Sequence, residues 1–270
     1  MLICLTGASI FYFLMPDKKT AEKQTEARQE AEKTIDNPIA EAELKTPIVE
    51  NAQPINEIPN IPILMYHYIR TVVDQNDTLG INLSVEPTKF AEQLDEIQKN
   101  GYETINFYNI EQGNIPTKPI ILTFDDGYKD FYTTAYPELR KRNMTAVVYV
   151  IANNDGANYI TTDQIREIAD NGIEIGSHTL SHIDLSTANT TKASNEISQS
   201  KTRLESIIGK NVISFCYPAG KYTLETIEIV KGAGYKYATT TKSGIADFDG
   251  PLELSRYRMN SDTNIKKYIK

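Results

Sequence analysis

PIILTFDDG, residues 119–127, is an uninterrupted run of apolar and β-forming side chains that ends abruptly in two carboxylates and a glycine. A strand that is apolar at every position, with no alternation, suits a parallel sheet covered on both faces. Asp125 and Asp126 then follow where a core has no use for them, because buried charge must be paired or metal-bound. Gly127 lets the chain turn sharply there. The same pair also suits a polar turn capping a helix that begins near Tyr128.

Working outward, further strands are expected at Pro62–Tyr68, Glu103–Phe107, Ala146–Ile151, Ile173–Ser177, Val212–Phe215 and Tyr235–Thr239. Helical patterns lie between them, at Pro87–Asn100, Asp130–Asn143, Thr162–Asn171, Lys192–Ile208 and Thr223–Lys231. The first has Pro87 at its start and Gly101 just past its end, the usual asymmetry of helix termini. Short apolar strands alternating with helices of this length predict an α/β protein, a parallel sheet or barrel covered on both faces.

That pattern begins near residue 61. Before it, Leu2–Met15 is an apolar run of signal-sequence length, shorter than the roughly 20 residues that span a bilayer. Residues 1–16 are therefore expected to be a signal peptide or membrane anchor. Residues 17–60 contain no glycine and no aromatic residue, and Pro38, Pro47, Pro54 and Pro59 interrupt them. They read as a polar linker that cannot bury enough apolar surface to fold alone. The folded part is expected over 61–270, on the extracytoplasmic side, with the N-terminal segment as its link to a membrane.

The chain holds 28 Lys+Arg against 36 Asp+Glu, a net charge of -8, with no basic block. Sequence-independent nucleic-acid binding has no footprint here. Two cysteines, Cys4 and Cys216, exclude a disulfide scaffold and a multi-cysteine metal cluster. A coiled-coil interaction role for residues 17–37 lacks the apolar heptads it needs.

All three histidines fall at predicted strand ends: His67 after the first, His178 and His182 after IEIGS. In β/α barrels that face carries the active site. The i,i+4 imidazoles with one carboxylate make a two-His-one-Asp set with open positions. Zn²⁺ suits that set, and Co²⁺, Ni²⁺ or Fe²⁺ are accepted by it too. Surface or capping roles for the pair, and a structural role for His67, are the plainer alternatives. Cys216 has no spare histidine to activate it as a nucleophile.

Thr123-Phe124-Asp125-Asp126-Gly127 followed by His178-Thr179-x-x-His182 resembles the polysaccharide deacetylase family, the NodB-homology domain of carbohydrate esterase family 4. The resemblance covers about residues 61–260 and implies a distorted, seven-stranded (β/α) barrel. It makes Asp125 the catalytic base, and Asp126, His178 and His182 the ligands of a divalent metal. Phe215-Cys216-Tyr217-Pro218-Ala219-Gly220 is similar to the family's Arg-Pro-Pro-Tyr-Gly segment, placing an oxyanion-binding N–H at Ala219 and substrate contacts at Tyr217 and Pro218. Cys216 stands where an arginine often braces the base, which puts the tuning of Asp125 in doubt. No histidine follows His182, so the C-terminal general acid is missing. Met65-Tyr66-His67 resembles the circularly permuted poly-N-acetylglucosamine deacetylases, in which the first strand supplies that acid. His67 is then the expected acid.

The implied partner is an acetylated polysaccharide, and the implied reaction is removal of acetyl from its N-acetylated amino sugars. With no Trp and 16 Tyr, any stacking on sugar falls to tyrosine or phenylalanine. An O-acetyl glycan esterase would use the same residues, and a catalytically weak glycan-binding protein would keep the fold while lacking the bracing arginine.

Overall fold

The computed structural model describes residues 58–269. The expected anchor, and the linker as far as residue 57, lie outside the described residues. Among the described residues no helix is long and apolar enough to cross a membrane.

Among the described residues ten short strands form: β1 (Ile63–Tyr66), β2 (Tyr68–Ile69), β3 (Ser84–Val85), β4 (Glu103–Ile105), β5 (Pro119–Phe124), β6 (Val147–Val150), β7 (Glu174–Ser177), β8 (Ser214–Cys216), β9 (Tyr237–Thr239) and β10 (Tyr257–Arg258). All pair in parallel, in the order β10-β1-β5-β6-β7-β8-β9, with β2 and β3 as a separate pair. β5 is buried at all six positions, as its apolar run requires. One edge of it meets β1, from Ile63↔Ile121 to Tyr66↔Phe124. The other edge is shared: β4 takes Pro119–Ile121 and β6 takes Thr123 and Phe124.

Strand alternation divides the apolar side chains into two layers. Leu64, Tyr66, Leu122, Phe124 and Val148 face the helices. Ile63, Ile121, Val147 and Tyr149 face the inside of the curled sheet, against Phe107, Tyr237 and Leu254. The helices are α1 (Thr78–Leu83), α2 (Pro87–Lys99), α3 (Phe107–Glu111), α4 (Tyr136–Lys141), α5 (Thr162–Asp170), α6 (Thr190–Ile208) and α7 (Leu224–Gly232). α2 buries Phe90, Leu94 and Ile97 along one stripe, each contributing roughly 1.5–3 kcal/mol. α5 starts with a Thr161/Gln164 capping box, and α6 ends at Gly209 in the left-handed conformation (φ 66).

β3 and α1 have no counterpart in the sequence expectation, the strand expected over 62–68 is split at His67 into β1 and β2, and three further elements differ from it. The strand expected to reach Phe107 stops at Ile105, because Asn106 caps α3 and the Glu174 carboxylate accepts the Phe107 N–H at 2.7 Å. The helix expected over 130–143 is a π-turn (Phe131–Ala135) followed by α4. Pro137 has no N–H for the α-helical ladder, and Tyr136 N–H donates to Phe131 O, one residue farther back than an α-helix allows. The third is β10, a strand in a polar stretch that carries no strand signal.

The segment running into β10 joins the two ends of the sheet. Leu254 N–H donates to Ala238 O (2.8 Å) and Thr240 N–H to Leu254 O (2.9 Å) beside β9. Tyr257 and Arg258 then pair with Leu64 and Met65 of β1. Residue 256 thus points from the seam of a curled, nearly closed sheet.

Candidate active site

Parallel strands bring all their C-terminal ends to one face. There His67 follows β1, Asp125 and Asp126 follow β5, His178 follows β7, and Tyr217 follows β8. Five non-glycine residues among those described adopt positive φ, and four lie here: Asp126 (73), Thr179 (65), His182 (56) and Ala219 (53). Backbone strain of this kind costs on the order of 1–3 kcal/mol per residue and persists where surrounding contacts enforce it.

Those contacts are visible around the histidines. Glu196, on the inner face of α6, accepts the N–H groups of Leu180 (3.0 Å) and Ser181 (2.9 Å) and the Ser181 hydroxyl (2.6 Å). His182 N–H donates to Thr179 Oγ1 at 2.9 Å. The loop is thereby wound so that His182 Nε2 lies 3.3 Å, and His178 Nε2 3.4 Å, from Asp126 Oδ1. His178 Nδ1 meets the carbonyl of Cys216 at 2.7 Å, so Nδ1 carries a proton and the ring is held with Nε2 turned to the carboxylate.

Two imidazole nitrogens and one carboxylate oxygen, all within 4.8 Å of one another, fit a divalent cation, with solvent access on the side of the exposed His182. Asp125, His178 and Cys216 also converge within that distance. There, however, both carboxylate oxygens are already taken.

Arg256 takes them. Its Nη1 donates to Asp125 Oδ1 (2.6 Å) and its Nη2 to Oδ2 (2.8 Å). The guanidinium is fully buried, and its other N–H groups reach Thr240 O (2.9 Å), Thr123 Oγ1 (2.9 Å) and Cys216 Sγ (3.2 Å). Burial alone would raise the Asp125 pKa. Arg256 outweighs it and holds the carboxyl well below the usual carboxylate range. The doubt raised by Cys216 is thus answered from another strand: the brace comes from the seam, and the small Cys216 side chain leaves room for it.

His67 Nε2 lies 3.8 Å from Asp125 Oδ2, and its Nδ1 is buried with no hydrogen-bond partner. Burial pushes its pKa below the ordinary imidazole value, against the pull of Asp125. Ala219 sits in a left-handed turn shortly after β8. Tyr217 departs from the expected substrate contact. Its ring is fully buried against Tyr222 and its hydroxyl donates to Leu252 O at 3.1 Å, so the side chain supports the turn from beneath. Pro218 is buried as well. A cleft of about 380 Å³ opens over Asp126 and His182, walled by Tyr128, Asn153, Tyr159 and Ser181.

Among known proteins, the polysaccharide deacetylase family profile matches residues 112–238. YxkH of Bacillus subtilis (strain 168), named for polysaccharide deacetylation, is 32% identical over 207 residues, covering 74% of this chain and 71% of its own. The chain belongs to the polysaccharide deacetylase family. The Streptococcus pyogenes deacetylase PplD, solved in complex with acetate, matches the deacetylase fold described above with a TM-score of 0.73 and 32% identity. That match covers 79% of this chain and 99% of PplD. The poly-β-1,6-N-acetyl-D-glucosamine N-deacetylase of Staphylococcus epidermidis is 25% identical over 204 residues, 66% of this chain and 71% of its own.

Two residues that shape the deacetylase's site escape a reading of the sequence. Glu196 leaves a trace, a carboxylate on the same helical stripe as Ala193, Ile197 and Leu204. Arg256 leaves none, since Ser255-Arg256-Tyr257-Arg258 reads as exposed surface.

Proposed function

We propose that this deacetylase removes acetyl from N-acetylated amino sugars of a cell-surface or extracellular polysaccharide, of the poly-N-acetylglucosamine or peptidoglycan type. The observation that carries the reading is the convergence of Asp126, His178 and His182 beside an arginine-braced Asp125 with His67 across from it. Asp126 Oδ1 and the two Nε2 atoms would hold a divalent cation, Zn²⁺ before Co²⁺, Ni²⁺ or Fe²⁺. Such an ion supplies Lewis-acid polarisation of the acetyl carbonyl and a more acidic water.

The chain's own groups do the rest. Asp125, kept ionised by Arg256, accepts the proton of the attacking water. The Ala219 N–H donates to the oxygen on which charge develops. Protonated His67 donates to the sugar nitrogen as the C–N bond breaks, so that acetic acid and a neutral amine part and Asp125 returns its proton to solvent. Extracytoplasmic placement follows from the apolar run Leu2–Met15 and from the glycan substrate.

A binding-only reading rested on the missing motif arginine, and Arg256 removes its ground. The deciding experiment is acetate release from N-acetylglucosamine oligomers by the metal-loaded full chain, by the chelated chain and by Asp125→Asn. We expect release that is lost on chelation, and a fall of at least ~10²-fold in the variant. Release only from an O-acetylated xylan would replace the amide reading with an esterase.

A further inference from the structure

Past Tyr128 and Tyr159, on the side away from His182, a second cleft of about 300 Å³ is lined by these two tyrosines with Tyr68, Arg70, Lys129, Asp130 and Asn158. Its position follows from the strand ends. Tyr68 directly follows His67, and Tyr128 and Lys129 lie two and three residues past Asp126. A group held here therefore neighbours whatever sits over Asp126.

Four side chains stack in series. Arg70 Cζ lies 3.6 Å from the centre of the Tyr68 ring, and Tyr128 covers the opposite face at 3.9 Å between ring centres, 21° from parallel. Tyr159 continues the stack beyond Tyr128 at 5.2 Å. With both its faces covered, Tyr68 offers no platform for a sugar ring. What this end of the stack presents is a guanidinium seated over the Tyr68 ring, with no hydrogen bond from its N–H groups among the described residues.

Neither Arg70 nor the Lys129 ammonium has a salt bridge or side-chain hydrogen bond among the described residues. The one carboxylate in the cleft, Asp130, is turned inward, with Oδ2 accepting the Ile69 N–H at 3.0 Å and Oδ1 buried. Two cations thus face a cleft beside the reaction site, in a protein whose net charge is -8.

We infer that this second cleft binds an anionic substituent, a carboxylate or a phosphodiester, carried by the glycan unit next to the acetamido sugar. The inference rests on the proposed reading of the first cleft as the acetamido site. A planar guanidinium matches the paired oxygens of either anion. Stacking on Tyr68 fixes that guanidinium in advance, which lowers the ordering cost of binding. Lys129 adds a second point charge.

The test compares N-acetylglucosamine oligomers in three forms, on the metal-loaded full chain and on the Arg70→Gln/Lys129→Gln double variant. One form is neutral, one carries ether-linked carboxylates, and one carries a phosphodiester. For wild type, kcat/KM for one anionic form should exceed the neutral form by about tenfold or more, through KM, and the gap should shrink with added salt. The preferred form tells carboxylate from phosphate. The double variant should treat all three alike and keep its neutral-substrate rate within about twofold. A wild type that favours the neutral form, or shows no preference, overturns the inference, as does a preference that survives in the double variant. Should wild type release no acetate from any form, the acetamido reading fails. Calorimetric titration of the same oligomers then decides the cleft: charge-dependent binding lost in the double variant retains it, and binding indifferent to charge overturns it.

Discussion

Asp125 and Arg256 are both buried, and each answers for the charge of the other. Removing one partner of such a pair leaves an uncompensated interior charge, at a cost of about 3–5 kcal/mol. Arg256→Ala is therefore expected to lower both the unfolding midpoint and kcat. Cys216 Sγ lies 3.7 Å from Asp125 Oδ2, so the double change Arg256→Ala/Cys216→Arg would deliver a guanidinium to the same carboxylate from β8. It should recover part of the activity lost in Arg256→Ala, and no recovery in an acetate-release assay would show that the brace must come from the seam. The pH profile tests His67. A general acid must be protonated, and burial sets this imidazole below its ordinary value. With Asp125 ionised far into the acid range, kcat/KM should fall as pH rises through a value below about 6.5. A descending limb above that value, or one that persists in His67→Ala, would assign the proton to another group.

At the scale of elements, the strand ends were legible because an apolar run that stops in Asp-Asp, or in His, leaves few other readings. β5 begins and ends where PIILTF does, and helices α2, α5 and α6 fall within two residues of their expected bounds. The bounds failed where a side chain distant in sequence decides, as Glu174 does for α3, and where Pro137 interrupts a ladder that periodicity alone would continue. In the candidate site, Asp125, Asp126, His67 and His178 stood out because each lies just beyond a strand, and His182 because it is spaced i,i+4 from His178. Arg256 was not, because its burial depends on a seam between the first and last strands, which no local pattern encodes. α6 makes its own prediction. Glu196→Gln keeps the side-chain shape but weakens the three contacts that wind the histidine loop. Metal affinity, measured against a competing chelator, should drop by on the order of ten- to a hundredfold. An unchanged affinity would make Glu196 a purely structural residue.

For the molecule as a whole, the far end of β7 from His178 holds another buried carboxylate. Glu174 faces Phe107 N–H, Tyr108 N–H and the Ser214 hydroxyl, yet burial raises its pKa to about 7. Its folded pKa thus lies above the unfolded one, near 4.5. The stability it contributes is complete below about pH 4.5 and is lost as pH rises through about 7. Glu174→Gln retains an acceptor for the two N–H groups and removes the titration. The gap in unfolding free energy between variant and wild type should move in the variant's favour from pH 5 to pH 8, by roughly 3 kcal/mol at most. Denaturant titrations at the two pH values check this, and a constant gap would mean that Glu174 stays ionised in the native protein.

The seam also gives the site a schedule. A ribosome delivers His67, Asp125, Asp126, His178 and His182 before Arg256, so the nascent polypeptide owns the proposed reactive groups while lacking the cation that lets Asp125 stay charged indoors. Until that arginine emerges, the sheet has two loose ends and Asp125 has no place in a dry interior. The charge of Asp125 is thereby tied to the joining of the two sheet ends, and a chain that lacks Arg256 holds the proposed reactive groups without the cation that steadies them.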